Sequence, residues 1–205
     1  MLARFNEQKR AWLFWGVLLS AAVIILWLAP EEQTLGQGIR SVYVHVALIW
    51  AGLAGLVIAG LLGLLLAATG SRRILAWLQV IGWVGLAFYA AGVGMSIVSS
   101  KVNWGNVFWQ EPRMQVALNM LAVATLVQLA IAWLPWVRLR GVLAAGLIIV
   151  LAWSTLNAPL VLHPRNPIGS SSSSTIQLTF SALTLLSVLS AAWIVRFWQR
   201  RAAQE

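Results

Sequence analysis

Cysteine is absent from this chain. That excludes disulfides, thiolate metal sites, iron–sulfur ligation and cysteine nucleophiles, and it leaves the compartment open. Charge is scarce too: 9% of the 205 residues are charged, against 60% that are hydrophobic. A soluble domain of this size cannot cover so much apolar surface, so a soluble fold is excluded. Histidine is down to two residues, and the five acidic side chains supply neither an acid pair nor a Ser–His–acid set for hydrolysis. There is no Walker-type phosphate loop. These absences favour a protein that holds or hands on a ligand over an enzyme.

What the chain has in abundance is long apolar runs. Six of them, at residues 11–29, 42–68, 74–98, 116–137, 142–162 and 176–198, are each long enough to span about 30 Å of hydrocarbon at 1.5 Å per residue. The expected fold class is all-α, a single-domain integral membrane bundle of six transmembrane helices over residues 1–205. The first run is longer than a usual apolar signal core and has no small-residue cleavage site after it, so it reads as an uncleaved first helix. A row of small residues, Ala51, Gly55, Ala59 and Gly63, marks a face of the second helix on which a neighbour can pack closely. The serine run Ser170 to Ser174 reads as a flexible hinge before the last helix.

The net charge is +9. In a soluble protein that would suggest nucleic acid. Here the basic residues punctuate the ends of apolar runs without forming a continuous stripe, so the expected partner is the lipid bilayer and no nucleic acid. Ten of the 14 basic residues (Arg4, Lys9, Arg10, Arg72, Arg73, Arg138, Arg140, Arg196, Arg200 and Arg201) fall on the side of the termini. Only Arg40, Lys101, Arg113 and Arg165 fall on the other. The positive-inside rule therefore puts both termini in the cytoplasm and makes residues 31–41, 99–115 and 163–175 the outer loops.

The chemistry-bearing residues gather at that outer side. His45 is expected near the outer end of the second helix, turned toward the bundle interior, and His163 at the outer end of the fifth. Two neutral imidazoles at similar depth can ligate one metal ion, most naturally a haem iron; alternatively each makes a local interfacial hydrogen bond. Between them in sequence, the second outer loop crowds Trp104, Phe108 and Trp109 around Gly105, then continues Glu111-Pro112-Arg113. Membrane-interface belts account for scattered tryptophans such as Trp12, Trp27, Trp136 and Trp198. A Trp-Gly turn followed by two more aromatics suits a platform for a flat apolar ligand, with Glu111 and Arg113 orienting polar groups. Arg113 can pair a porphyrin propionate, or Glu111 and Arg113 can pair each other.

The loop resembles the tryptophan-rich WWD motif of the haem-handling cytochrome c assembly family, of the six-helix CcmC type. Val44-His45-Val46 after Tyr43, with Trp50 beyond, resembles that family's first histidine segment, and Leu162-His163-Pro164 its second. The order of histidine, tryptophan loop and histidine covers nearly the whole chain. The loop departs from the family pattern in having Glu111 for Asp, and Val107, Phe108 and Gln110 where tryptophans are expected. The resemblance implies that His45 and His163 are axial ligands to haem b, held transiently or stably. It also implies that Trp104, Gly105, Trp109, Glu111 and Arg113, with Phe108, cradle the macrocycle. Location in the cell inner membrane follows, with partners in an extracytoplasmic haem chaperone and the membrane subunits of an ABC-type complex. Two histidines equally suit a haem-bearing electron-transfer subunit. A haem-free scaffold or transport subunit is the third reading, though few intramembrane charges argue against ion coupling.

Overall fold

The computed structural model describes residues 2–159 and 171–202. Among them the secondary structure is helical: α1 (Leu2–Leu28), α2 (Ile39–Thr69), α3 (Arg72–Trp104), α4 (Pro112–Trp133), α5 (Val137–Leu156) and α6 (Ser174–Ala202). Each is long and apolar enough to cross a membrane, and the chain is a multi-pass membrane protein of the all-α bundle class.

Helix α2 is the central element, packed against α3, α5 and α6. Bilayer lipid is as apolar as leucine, so helices associate through close packing, and small residues permit it. The α2–α3 seam is glycine on glycine: a Cβ on Gly55 would stand 2.8 Å from the Gly85 Cα. The α2–α5 seam uses another side of the same helix, where a Cβ on Gly63 would stand 2.7 Å from the Gly141 carbonyl oxygen. The expected small-residue row thus divides between two neighbours. Around these seams, Leu56, Leu86, Tyr89, Met120, Ala124 and Leu147 form the central core.

Helix α1 sits at the edge of the bundle. It is held to α6 by aromatic rings, with Phe14 and Trp193 stacked at a centroid distance of 5.2 Å and Trp193 stacked in turn on Phe197 at 5.3 Å. Leu18 is buried and Ile25 and Leu26 pack toward α2, while Trp12, Leu13, Leu19, Val23, Ile24 and Trp27 are exposed, as suits a helix with one face in lipid.

The helix ends follow local chemistry rather than the limits of apolarity. Between α2 and α3 only Gly70 and Ser71 intervene; Gly70, at φ 66°, closes α2 by donating its N–H to the Leu66 carbonyl. Helix α4 stops at Trp133, before the expected 137. Pro135 pushes the preceding Leu134 into an extended conformation (φ −66°, ψ 138°). Helix α5 then begins at Val137 and ends at Leu156, short of the expected 162. Helix α3 runs six residues past the apolar limit at Val98, because its last turns are polar yet still helical. The end of the serine run is a capping turn: Ser173 accepts the Ile176 N–H on its hydroxyl at 3.4 Å, and Gln177 donates to the Ser171 carbonyl at 2.9 Å.

Contacts between elements show which ends share a face. Gln199 near the end of α6 donates to the carbonyl of Ala76 in the first turns of α3. Arg138 at the start of α5 lies beside Gly70 at the end of α2. This is the arginine-rich end; His45 and the aromatic loop lie toward the other.

Candidate functional site

The candidate site is built from the first turns of α2, the last turns of α3 and the start of α4. Antiparallel pairing of α2 and α3 sets the register. Asn103 reaches the Gly38 carbonyl at 3.3 Å, Ser41 donates to the Ser99 hydroxyl at 3.1 Å, and His45 Nδ1 lies 2.9 Å from the Gly92 carbonyl. Ser99 and Asn103 are four residues apart and share one face of α3. Ser99 is buried, and its hydroxyl and carbonyl belong to the same node. This node went unnoticed in the sequence, where residues 99–103 read as loop. The available signal was the pairing of two small polar residues at helical spacing directly after an apolar helix.

His45 lies on the second turn of α2, half-buried. A carbonyl oxygen can only accept, so Nδ1 carries the proton and donates to Gly92. In the neutral ring the lone pair then lies on Nε2, the state in which an imidazole ligates a metal. The bond depends on close approach, since a Cβ on Gly92 would stand 2.8 Å from the backbone nitrogen of Ile49, one helical turn beyond His45.

The aromatic loop is shorter than expected. Lys101, Asn103 and Trp104 belong to α3, and only residues 105–111 connect it to α4. Gly105, at φ 73°, turns the chain and caps α3 through the Lys101 carbonyl at 2.9 Å. Ser100 donates to the Asn106 carbonyl at 2.7 Å, and the Asn106 side chain accepts the Val107 N–H at 2.8 Å. Val107 points inward and is buried. With both ends fixed, Trp104, Phe108 and Trp109 remain outside, 45%, 40% and 53% exposed. Trp104 and Phe108 meet edge to face at a centroid distance of 6.3 Å.

Glu111 is buried, 5% exposed, and is the N-cap of α4: its carboxylate accepts the Met114 N–H at 2.8 Å, with Pro112 opening the helix. Arg113 follows, half-buried in the first turn. Glu111 therefore acts first as the anchor that sets where α4 begins, which its acidic character suits at the positive end of a helix.

These parts are not all brought together. Twelve residues of α3 separate Gly92 from Trp104, about 18 Å along the helix axis. His45 is thus set about three turns below the aromatic rings. His163 and Arg165 fall outside the described residues, as does the expected approach of the two histidines.

Comparison with protein-family models finds no match, and comparison with curated proteins finds none. The functional reading therefore rests on the residues. Among the described residues no group of three or more His, Cys, Asp or Glu side chains is placed to hold a metal ion. A porphyrin makes a smaller demand, since it brings four nitrogen ligands and asks the protein only for axial donors and apolar contact. Taken singly, a half-buried imidazole, exposed aromatic faces and an arginine suit that demand by their chemistry, but about 18 Å along α3 separates the level of the imidazole from the rings, so they do not form one cradle.

The adjoining loop is shaped by one carboxylate. Glu32 accepts the N–H groups of Thr34 and Leu35 at 2.8 and 2.9 Å, and these bonds, Leu35 first, hold its pKa below the usual carboxylate value. Arg40 reaches the Trp27 carbonyl at 3.5 Å, placing a cation at the negative end of α1.

Proposed function

We propose that this protein binds haem at the end of the bundle that carries the aromatic loop, and presents it there during cytochrome c maturation. The observation that carries the reading is the hydrogen bond from His45 Nδ1 to the Gly92 carbonyl, which orients the ring and selects the tautomer that a neutral axial ligand uses. His163 is proposed as the second axial donor. Trp104, Phe108 and Trp109, about three turns beyond the level of His45, are proposed to offer ring faces to the macrocycle as it enters or leaves, and Arg113 a charge for a propionate. The bound haem would supply an iron centre; the chain supplies its ligand, its apolar contact and its charge partner. By the positive-inside rule the site faces outward from the inner membrane, where an extracytoplasmic haem chaperone and the membrane subunits of an ABC-type complex are the proposed partners.

The test is an absorbance spectrum of the purified protein after haem addition, followed by incubation with an excess of a haem-accepting apoprotein. A Soret band that is weakened in His45→Ala and lost to the acceptor supports the reading. A stoichiometric band that survives washing and the acceptor would instead make the protein an electron-transfer subunit. The His45–Gly92 bond also ties α2 to α3, which favours a haem-free scaffold as the second reading. No Soret band under any condition would decide for it.

A further inference from the structure

At the arginine-rich end, α3 and α6 enclose a groove lined by Arg73, Ala76, Trp77, Arg196, Gln199 and Arg200. The spacing makes it a built surface. Arg73 and Trp77 are four residues apart on α3, Arg196 and Arg200 four apart on α6, so each pair shares one helical face. Gln199 locks the two helices together at this level by donating to the Ala76 carbonyl at 3.0 Å. Among the described side chains no carboxylate lines the groove, and the acidic residues so described, Glu31, Glu32 and Glu111, all lie toward the opposite end.

The electrostatics are lopsided. Cations suit the C-terminal end of a helix, where Arg200 stands on α6, but Arg73 sits at the positive end of α3, whose first turn contains no acidic residue. Its cap, Ser71, makes no side-chain hydrogen bond to the helix. Among the described side chains, three guanidinium groups and an uncapped helix N-terminus therefore meet here without an internal counter-charge. Trp77, 38% exposed, adds an amphipathic ring of the kind that settles at the headgroup level. Below it, the exposed large side chains of the two helices, Trp83 on α3 and Leu185, Val188 and Leu189 on α6, are apolar.

We infer that this groove is a binding site for one anionic phospholipid, its phosphate held by Arg73, Arg196 and Arg200 and its glycerol region resting on Trp77. A free anion would satisfy the arginines but not the apolar wall, so the occupant is a lipid. By the positive-inside rule this end faces the cytoplasm, so the lipid belongs to the inner leaflet. The inference stands apart from the haem reading, since it uses other residues at the other end of the bundle.

Native mass spectrometry of the full chain in neutral detergent tests it, with phosphatidylglycerol and phosphatidylcholine as probes. Phosphatidylglycerol should be retained preferentially as a one-to-one adduct. Each arginine removed should weaken retention on the order of five-fold, so the triple variant Arg73→Gln, Arg196→Gln, Arg200→Gln should lose the preference. A control triple, Arg72→Gln, Arg138→Gln, Arg201→Gln, removes the same charge from the same end and should keep it. Equal retention of the two lipids by the native chain overturns the site, and that comparison needs no variant. Equal loss in both triples reduces it to general surface charge. Inorganic phosphate that displaces the lipid at a matched concentration shows a free-anion site and overturns the lipid assignment.

Discussion

His45 Nδ1 lies 2.9 Å from the carbonyl oxygen of Gly92, across the α2–α3 seam. One residue supplies the side chain and the other, by lacking one, supplies the proximity. Gly92→Ala forces a Cβ to within 2.8 Å of the Ile49 nitrogen, backbone that cannot step aside. We expect a loss of about 1–3 kcal/mol, the usual cost of overpacking. We also expect weaker haem binding, because the imidazole loses the partner that fixes its tautomer. Thermal unfolding in detergent and haem titration read the two effects. Ser96→Ala, one turn away on α3, should change haem binding little, which separates the seam from a general weakening of the helix.

The exposed rings and the buried anchor of the aromatic loop should behave oppositely. Trp104→Ala and Trp109→Ala each remove stacking surface and should weaken haem binding by about 1 kcal/mol or more, with stability unchanged because the rings are exposed. Val107→Ala should cost stability, since it empties a buried position, and should affect haem only through loop order. Unchanged haem affinity in the Trp104/Trp109 double variant leaves these rings as interface anchors.

The fold was legible from apolar run length, because a bilayer demands about 20 apolar residues and no soluble core does. Helix ends were less so. Apolarity stops where hydrocarbon stops, whereas a helix continues as long as its backbone is hydrogen-bonded; hence α3 carries Ser99, Ser100 and Asn103 beyond Val98. Pro135 and Gly70 were visible punctuation, yet only the first marked a boundary several residues from the expected one. In the site, the aromatic cluster could be read directly, but the burial of Glu111 could not, because a carboxylate beside an arginine looks like an ion pair in sequence. Helix α2 begins at Ile39, three residues before its apolar run, so His45 stands a turn and a half inside the helix.

The first loop should be acid-sensitive. The Glu32 carboxylate is favoured by the Leu35 and Thr34 amides, so its folded-state pKa is lowered. Its contribution is present above the ordinary carboxylate pKa and is lost as pH falls through the lowered folded value. Hydrogen exchange at the Thr34 and Leu35 amides, corrected for intrinsic pH dependence, should show protection at neutral pH that fades in acid. Glu32→Gln should flatten that dependence.

Orientation can be tested with thiols, since the native chain has none. Gly70 is a poor labelling site because its φ of 66° penalises any side chain, whereas the neighbouring Ser71 has φ −70° and accepts cysteine without strain. Gln110 is exposed in the aromatic loop. A membrane-impermeant maleimide added to intact cells should label Gln110→Cys and spare Ser71→Cys until the membrane is opened. The opposite pattern would turn the bundle over, place the arginines outside against the positive-inside bias, and move both the haem face and the lipid groove to the wrong leaflets.

The sharpest test concerns the two histidines. If His45 and His163 each donate a nitrogen to one iron, then removing either leaves an open axial position and shifts the Soret band, and removing both abolishes tight binding. Added imidazole should partly restore each single alanine variant, because a free ring can fill a vacated axial position, and it should do little for a variant of the aromatic rings. The bundle should survive all these changes, since its seams are made by glycine contacts and the Leu56–Leu147 core rather than by histidine. If His45→Ala lowers thermal stability without altering the spectrum, and His163→Ala does neither, then His45 is a strut between α2 and α3 and the haem assignment fails. If only His45→Ala moves the spectrum, the iron has one protein ligand and an open position, an arrangement better suited to handing haem on than to carrying electrons.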